Sequence, residues 1–126
     1  MNHHRRTVLV VDDDDDIRAL ICAVLTRAGY RCISVDGGIP ALAAALDDPP
    51  ALYVLDVRMP DMHGHEVCRR IKADARLCAP VLMVSAEAAD RDIAAGFAAG
   101  CDDFMPKPFR SRDLLARLDQ LMLVAA

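Results

Sequence analysis

At 126 residues the chain has room for one domain, and with 54% apolar and 27% charged residues it can bury a core and is not a disordered segment. No apolar run reaches the 18 residues of a membrane span and no basic-then-apolar leader opens the chain, so neither a span nor a secretory signal is expected. A formal net charge of −4 argues against a nucleic-acid footprint.

The pattern alternates between short apolar runs and helical periods. Val8 to Val11 reads as a strand buried on both faces. Ile17, Leu20, Ile21, Val24, Leu25 and Ala28 follow at helical spacing, with Gly29 as the C-terminal stop. Cys32 to Val35 is a second strand, and Gly37-Gly38 turns the chain into a helix whose inner face is read as Ile39, Leu42, Ala43 and Leu46. Leu52 to Leu55 is a third strand, and Val67 and Ile71 mark a helix after the 60–64 loop. Val81 to Val84 is a fourth strand, followed by a helix carrying Ile93, Ala94 and Phe97 and closed by Gly100. Asp103 to Met105 is a short fifth strand, and Ser111 is expected to cap a last helix that buries Leu114, Leu115, Leu118, Leu121 and Met122.

Five strand–helix units with largely apolar strands predict a parallel α/β sheet with helices on both faces. Five strands suit the doubly wound, flavodoxin-like order 2-1-3-4-5, with its switch point between the first and third strands. Ligands in such sheets sit beyond the carboxyl ends of the strands. Residues 1–126 are read as a single domain with its core over about residues 7–122.

The charged residues are unevenly chosen. Seventeen of 19 acids are Asp and 13 of 15 bases are Arg, which singles out Lys72 and Lys107. The five cysteines (Cys22, Cys32, Cys68, Cys78, Cys101) are odd in number and lack a C-x-x-C pair. They are expected to be buried thiols in a reducing cytoplasm rather than a disulfide or zinc framework.

At the carboxyl edge, Asp12 and Asp13 follow the first strand and Asp56 the third. Neighbouring strands bring these carboxylates together, and a hard divalent cation such as Mg²⁺ would relieve their repulsion. Asp14, Asp15 and Asp16 read instead as acids at a helix N-terminus. Ser85 follows the fourth strand and Lys107 the fifth. Metal, hydroxyl and ammonium together suit the three equatorial oxygens of a phosphoryl group, with a carboxylate as its acceptor.

In this order the residues Val-Asp12-Asp13, Leu-Asp56, Met59-Pro60-Asp61-Met62-His63-Gly64, Val-Ser85-Ala86, Gly100-Cys-Asp-Asp-Phe104 and Lys107-Pro108-Phe109 resemble the receiver domain of bacterial two-component response regulators, from about Thr7 to about Met122. The resemblance implies a phosphoacceptor, Asp56, served by a sensor histidine kinase or phosphotransfer protein. It implies metal ligands at Asp13 and Asp56, at Asp12 through water, and at the main-chain carbonyl of Arg58. Ser85 would be the switch hydroxyl, Lys107 the phosphate-pairing cation and Phe104 the rotating aromatic, and the Lys107-Pro108 bond would be cis. Ser stands where the family often has Thr, and Phe104 lacks the phenol of the common Tyr, so its two settings differ by packing alone. Output to an effector domain or protein would run through the face made by the fourth helix, fifth strand and fifth helix, and a phosphorylation-dependent homodimer fits the same family. The protein would be a cytoplasmic signalling phosphoacceptor that catalyses only its own phosphorylation and dephosphorylation.

Arg58 and Glu87 each lie two residues beyond a pocket residue, Asp56 and Ser85, and their opposite charges would form a partial lid at the mouth. Two other classes are weighed. A haloacid-dehalogenase-type phosphohydrolase would use Asp12 and Asp14 as its D-x-D, but Asp16 stands where that motif wants Thr or Val, and the chain leaves no room for a cap. A receiver-like scaffold that needs no phosphorylation would not require Asp56, Ser85 and Lys107 together. His3, His4, Arg5 and Arg6 read as a frayed start, and His63 and His65 lack a third ligand. No effector region is expected within these 126 residues.

Overall fold

A computed structural model describes residues 6–125. The elements alternate as β1 (Thr7–Val11), α1 (Asp15–Arg27), β2 (Arg31–Val35), α2 (Gly38–Asp47), β3 (Leu52–Asp56), α3 (Gly64–Ala73), β4 (Val81–Ser85), α4 (Asp90–Ala98), β5 (Asp103–Pro106) and α5 (Ser111–Ala125). The strands form one parallel sheet in the order β2-β1-β3-β4-β5, as the pattern predicts. Val11 pairs with Leu55, Asp56 with Val84, and Ser85 with Pro106, so the residues that end the central strands share one edge. No helix among the described residues is long and apolar enough to cross a membrane.

Strand alternation sends successive side chains to opposite faces. Leu9, Val11, Tyr53, Leu55, Val81 and Met83 pack with Ala41, Ala45, Val67 and Ile71 on the α2–α3 side. Val8, Val10, Leu52, Val54, Leu82 and Val84 pack with Ile21, Leu25, Leu114 and Leu118 on the α1–α5 side. β1, β3 and β4 are buried almost throughout, whereas the edge strand β2 is not. Gly29 and Gly100, the two stops read from the sequence, both take positive φ (99° and 108°).

Several helix faces are turned differently from the sequence reading. In α2 the buried residues are Gly38, Ala41 and Ala45, while Ile39 and Leu46 are 59% and 50% exposed. Ala41 and Ala45 join the core cluster on the sheet, and Gly38 lies against Val67 of α3 and Met62. In α4 the buried residue is Gly96 and Phe97 is exposed; in α1, Leu20 is exposed beside buried Ile21 and Leu25. Ser111 does not cap α5 from outside; it is the first helical residue, and the amide of Leu114 donates to the carbonyl of Arg110.

The cysteine expectation also needs correcting. Cys22 of α1 and Cys32 of β2 form a disulfide, with Cα atoms 5.6 Å apart. The pairing was hidden because it depends on α1 packing against β2, not on spacing in the chain. Cys68 and Cys101 are buried thiols as expected, their pKa values pushed by burial up to about 11 and about 12, but Cys78 is exposed. His3, His4 and Arg5 lie outside the described residues. Arg6 is not frayed: its carbonyl accepts from the amide of Arg31, and its guanidinium donates to the Met122 carbonyl.

Candidate functional site at the carboxyl edge of the sheet

Asp12 sits just past β1 and Asp56 ends β3, and both are buried, 2% and 7% exposed. Burying carboxylates demands compensation. Lys107, following β5, supplies it: its Nζ donates to Asp12 Oδ2 at 2.9 Å and to Asp56 Oδ1 at 3.2 Å. Asp56 Oδ1 also accepts from the amide of Val57 at 2.9 Å, and Asp12 Oδ1 from the amide of Asp14 at 2.9 Å. Asp13 is exposed and completes a group of three carboxylates whose ligand atoms lie within 4.8 Å of one another. Among the described residues this is the one such cluster of acids, histidines and cysteines.

Burial and the neighbouring Asp12 carboxylate push Asp56 up to about 6, against the pull of Lys107 and the Val57 amide. Burial pulls Lys107 down, but Asp12 and Asp56 outweigh it and hold the ammonium above its ordinary value. One cation therefore leaves the cluster with surplus negative charge. Oxygen donors, crowded carboxylates and an open side at Asp13 match the preferences of a small hard dication.

Ser85 is buried, and its Oγ accepts from the amide of Glu87 at 3.0 Å. Phe104 is buried in β5, against Gly96 and Met83. The Lys107-Pro108 bond is cis. The Arg58 guanidinium pairs with both carboxylate oxygens of Glu87, the Nη2–Oε2 contact being 3.1 Å. Under this pair lies a cleft of about 260 Å³ lined also by His63, His65, Asp92 and Phe104. His65 Nε2 is buried there without a hydrogen-bond partner, and burial holds the imidazole below its usual pKa.

The remaining aspartates of the run behave as helix-start acids. Asp14 caps α1 by accepting from the amides of Asp16 and Ile17, and Asp15 and Asp16 occupy its first turn. One residue at the edge escaped the sequence reading. Arg18 donates to the Asp12 carbonyl at 2.9 Å and to Asp15 Oδ1 at 2.7 Å, bracing the β1–α1 turn. Its i,i+3 spacing from Asp15 was the available signal.

Residues 8–119 match the family model described as the response regulator receiver domain. The chain is 39% identical over 107 residues to the transcriptional regulatory protein GltR of Pseudomonas aeruginosa, covering 84% of this chain and 44% of the relative. It is 36% identical to the phosphate regulon transcriptional regulatory protein PhoB of the same organism, covering 84% and 47%. The chain thus spans under half the length of these curated relatives. Among solved structures, Vibrio cholerae chemotaxis protein CheY4 superposes with a TM-score of 0.88 at 31% identity, covering 92% of this chain and 98% of that one. The BeF3-activated DrrB receiver domain gives 0.86 at 32% identity, covering 93% and 97%. Sequence, fold and the acidic edge agree, and the chain belongs to the receiver domains of two-component response regulators.

Proposed function

We propose that Asp56 is the phosphoacceptor and that residues 1–126 act as one receiver domain, switched by a phosphoryl group from a histidine kinase or phosphotransfer protein in the cytoplasm. The observation that carries this reading is the buried Asp56 carboxylate, bridged by Lys107 to Asp12 and open toward Asp13. An Asp56 oxygen attacks phosphorus, the phosphorus–nitrogen bond of the donor phosphohistidine breaks, and its imidazole leaves with the bonding electron pair. The Lys107 ammonium offers a donor to the incoming phosphoryl oxygens, and the Ser85 hydroxyl offers a second. Mg²⁺, held by Asp13, Asp56 and the Arg58 carbonyl with Asp12 through water, would neutralise phosphoryl charge. The added charge of about −1.5 to −2 draws Ser85 inward, with Phe104 able to repack beside it. Output then passes through α4, β5 and α5 to an effector or to a second copy of the chain.

Incubation with acetyl phosphate and Mg²⁺ tests this. One acid-stable, base-labile label per chain, lost in Asp56→Asn, is expected. Repeated turnover of phosphate esters would favour the phosphohydrolase class, and no labelling the phosphorylation-independent scaffold.

A further inference from the structure

α2 begins without a cap of its own. Its N-cap is Gly37, which makes no side-chain bond to the first turn. The exposed amides are taken instead by Asp61, which accepts from Gly38 at 3.0 Å and Ile39 at 2.8 Å. Asp61 lies in residues 57–63, the connection between β3 and α3, so a residue far along the chain caps this helix. These amide bonds hold its carboxyl below the ordinary range, which keeps it charged.

Asp61 accounts for Gly37, and Val67 with Met62 for Gly38. A Cβ on Gly37 would stand 2.7 Å from Asp61 Oδ2, and one on Gly38 would stand 2.6 Å from Val67 Cγ2 and 2.9 Å from Met62 Cβ. Gly37 has extended φ (−168°), open to any residue, so the requirement there is space rather than backbone conformation.

The same connection is fastened at its other end. The Gly64 amide donates to the Val57 carbonyl at 2.7 Å, and a Cβ on Gly64 would lie 2.3 Å from the Asp56 carbonyl oxygen. Arg58 lies between these two ties. A carbonyl ligand on an untied segment must be ordered when the metal binds, which weakens binding; one already ordered avoids that loss.

We propose that Asp61 is a positioning residue for the metal site: by capping α2 it holds the 57–63 connection so that the Arg58 backbone is ordered before Mg²⁺ arrives. This rests on the carboxylate cluster being a Mg²⁺ site. Asp61 touches neither metal nor phosphoryl group and acts through the backbone.

The experiment measures Mg²⁺ affinity calorimetrically, together with the Mg²⁺ dependence of acetyl-phosphate labelling. Asp61→Ala should weaken Mg²⁺ by about 3- to 10-fold, less than the roughly 10- to 100-fold seen for residues that orient a ligand directly, because Asp61 acts through the backbone. Half-maximal labelling should shift to higher Mg²⁺ by the same factor, with the rate at saturating Mg²⁺ within about two-fold of wild type. Amide exchange across residues 57–63 should quicken in the metal-free protein. Asp61→Asn keeps one acceptor oxygen where two amides are bound by separate oxygens, so its Mg²⁺ affinity should fall between wild type and Asp61→Ala. Gly37→Ala, which crowds the retained Asp61, should reproduce the alanine defect. Asp74→Ala removes a comparable turn contact to the Arg76 amide away from the pocket, and should leave Mg²⁺ affinity unchanged. Wild-type affinity in Asp61→Ala overturns the proposal, as does unchanged amide exchange across residues 57–63 in that variant. Wild-type protein that neither binds Mg²⁺ nor takes the label would overturn the metal-site reading itself, before any variant is compared.

Discussion

Gly96 of α4 lies against the ring of Phe104 in β5: a Cβ on Gly96 would stand 2.9 Å from Cδ2 of Phe104 and 3.0 Å from Sδ of Met83. Alanine in a helix interior is worth about 1 kcal/mol over glycine, whereas overfilling a packed site costs about 1–3 kcal/mol. Gly96→Ala should therefore destabilise the protein by about 1 kcal/mol in urea unfolding. In a Phe104→Ala background the same change should stabilise it by about 1 kcal/mol. The same sign in both backgrounds would show that the ring does not set the space at Gly96.

Asp56 carries a pH signature of its own. Its folded pKa, about 6, lies above the unfolded value of about 3.9, so folding favours the protonated acid. The stabilisation is full below about pH 4 and is lost as pH rises through 6. Without metal, Asp56→Asn should exceed wild type in stability at pH 7–8 by up to about 3 kcal/mol, at about 1.4 kcal/mol per pKa unit. The gap should close toward pH 4. Urea melts in chelator across that range check it, and a gap independent of pH would refute the burial argument.

The Arg58–Glu87 pair bears on how long a phosphoryl group would last. Hydrolysis needs a water in line with the bond from Asp56 to phosphorus, and the pair bridges the segments that leave β3 at Asp56 and β4 at Ser85. Replacing both with Ala should speed loss of the label by several-fold, up to about tenfold, with Mg²⁺ affinity nearly unchanged. The decay of fully labelled protein gives the answer, and equal half-lives would remove the lid.

The disulfide closes a short loop, since its cysteines are ten residues apart. A closure of that size stabilises by about 2–3 kcal/mol through the unfolded chain. Thiol titration of denatured protein should find three free cysteines before reduction and five after it. Reductant should lower the unfolding midpoint of the wild type and leave that of Cys22→Ser unmoved. Five reactive thiols without reductant would rule the bond out for that preparation.

The edge residues were legible because strand ends are marked twice, by the end of a β-branched run and by the polar residue after it. Parallel order then brings Asp12, Asp56, Ser85 and Lys107 together without knowledge of any side chain. The inward face of α2 was legible only at Leu42, which packs on the core. Ranking by hydrophobicity selects Ile39 and Leu46, but packing on the core selects Ala41 and Ala45, and Val67 and Met62 leave room only for glycine at position 38. Asp61 and the Cys22–Cys32 bond were hidden for another reason. Each acts on a partner in a different element, and nothing local in the chain announces the meeting.

The sheet divides the interior into two apolar compartments that meet only through the backbones of the strands between them. Phe104 lies in the compartment with Met83 and Ile71, while Ile21, Leu25 and Leu118 fill the other. Side chains so separated make independent energetic contributions. The core beneath α1 and α5 can therefore be repacked while the packing around Phe104 stays as it is. A substitution that disturbs one half of the interior leaves the other half standing.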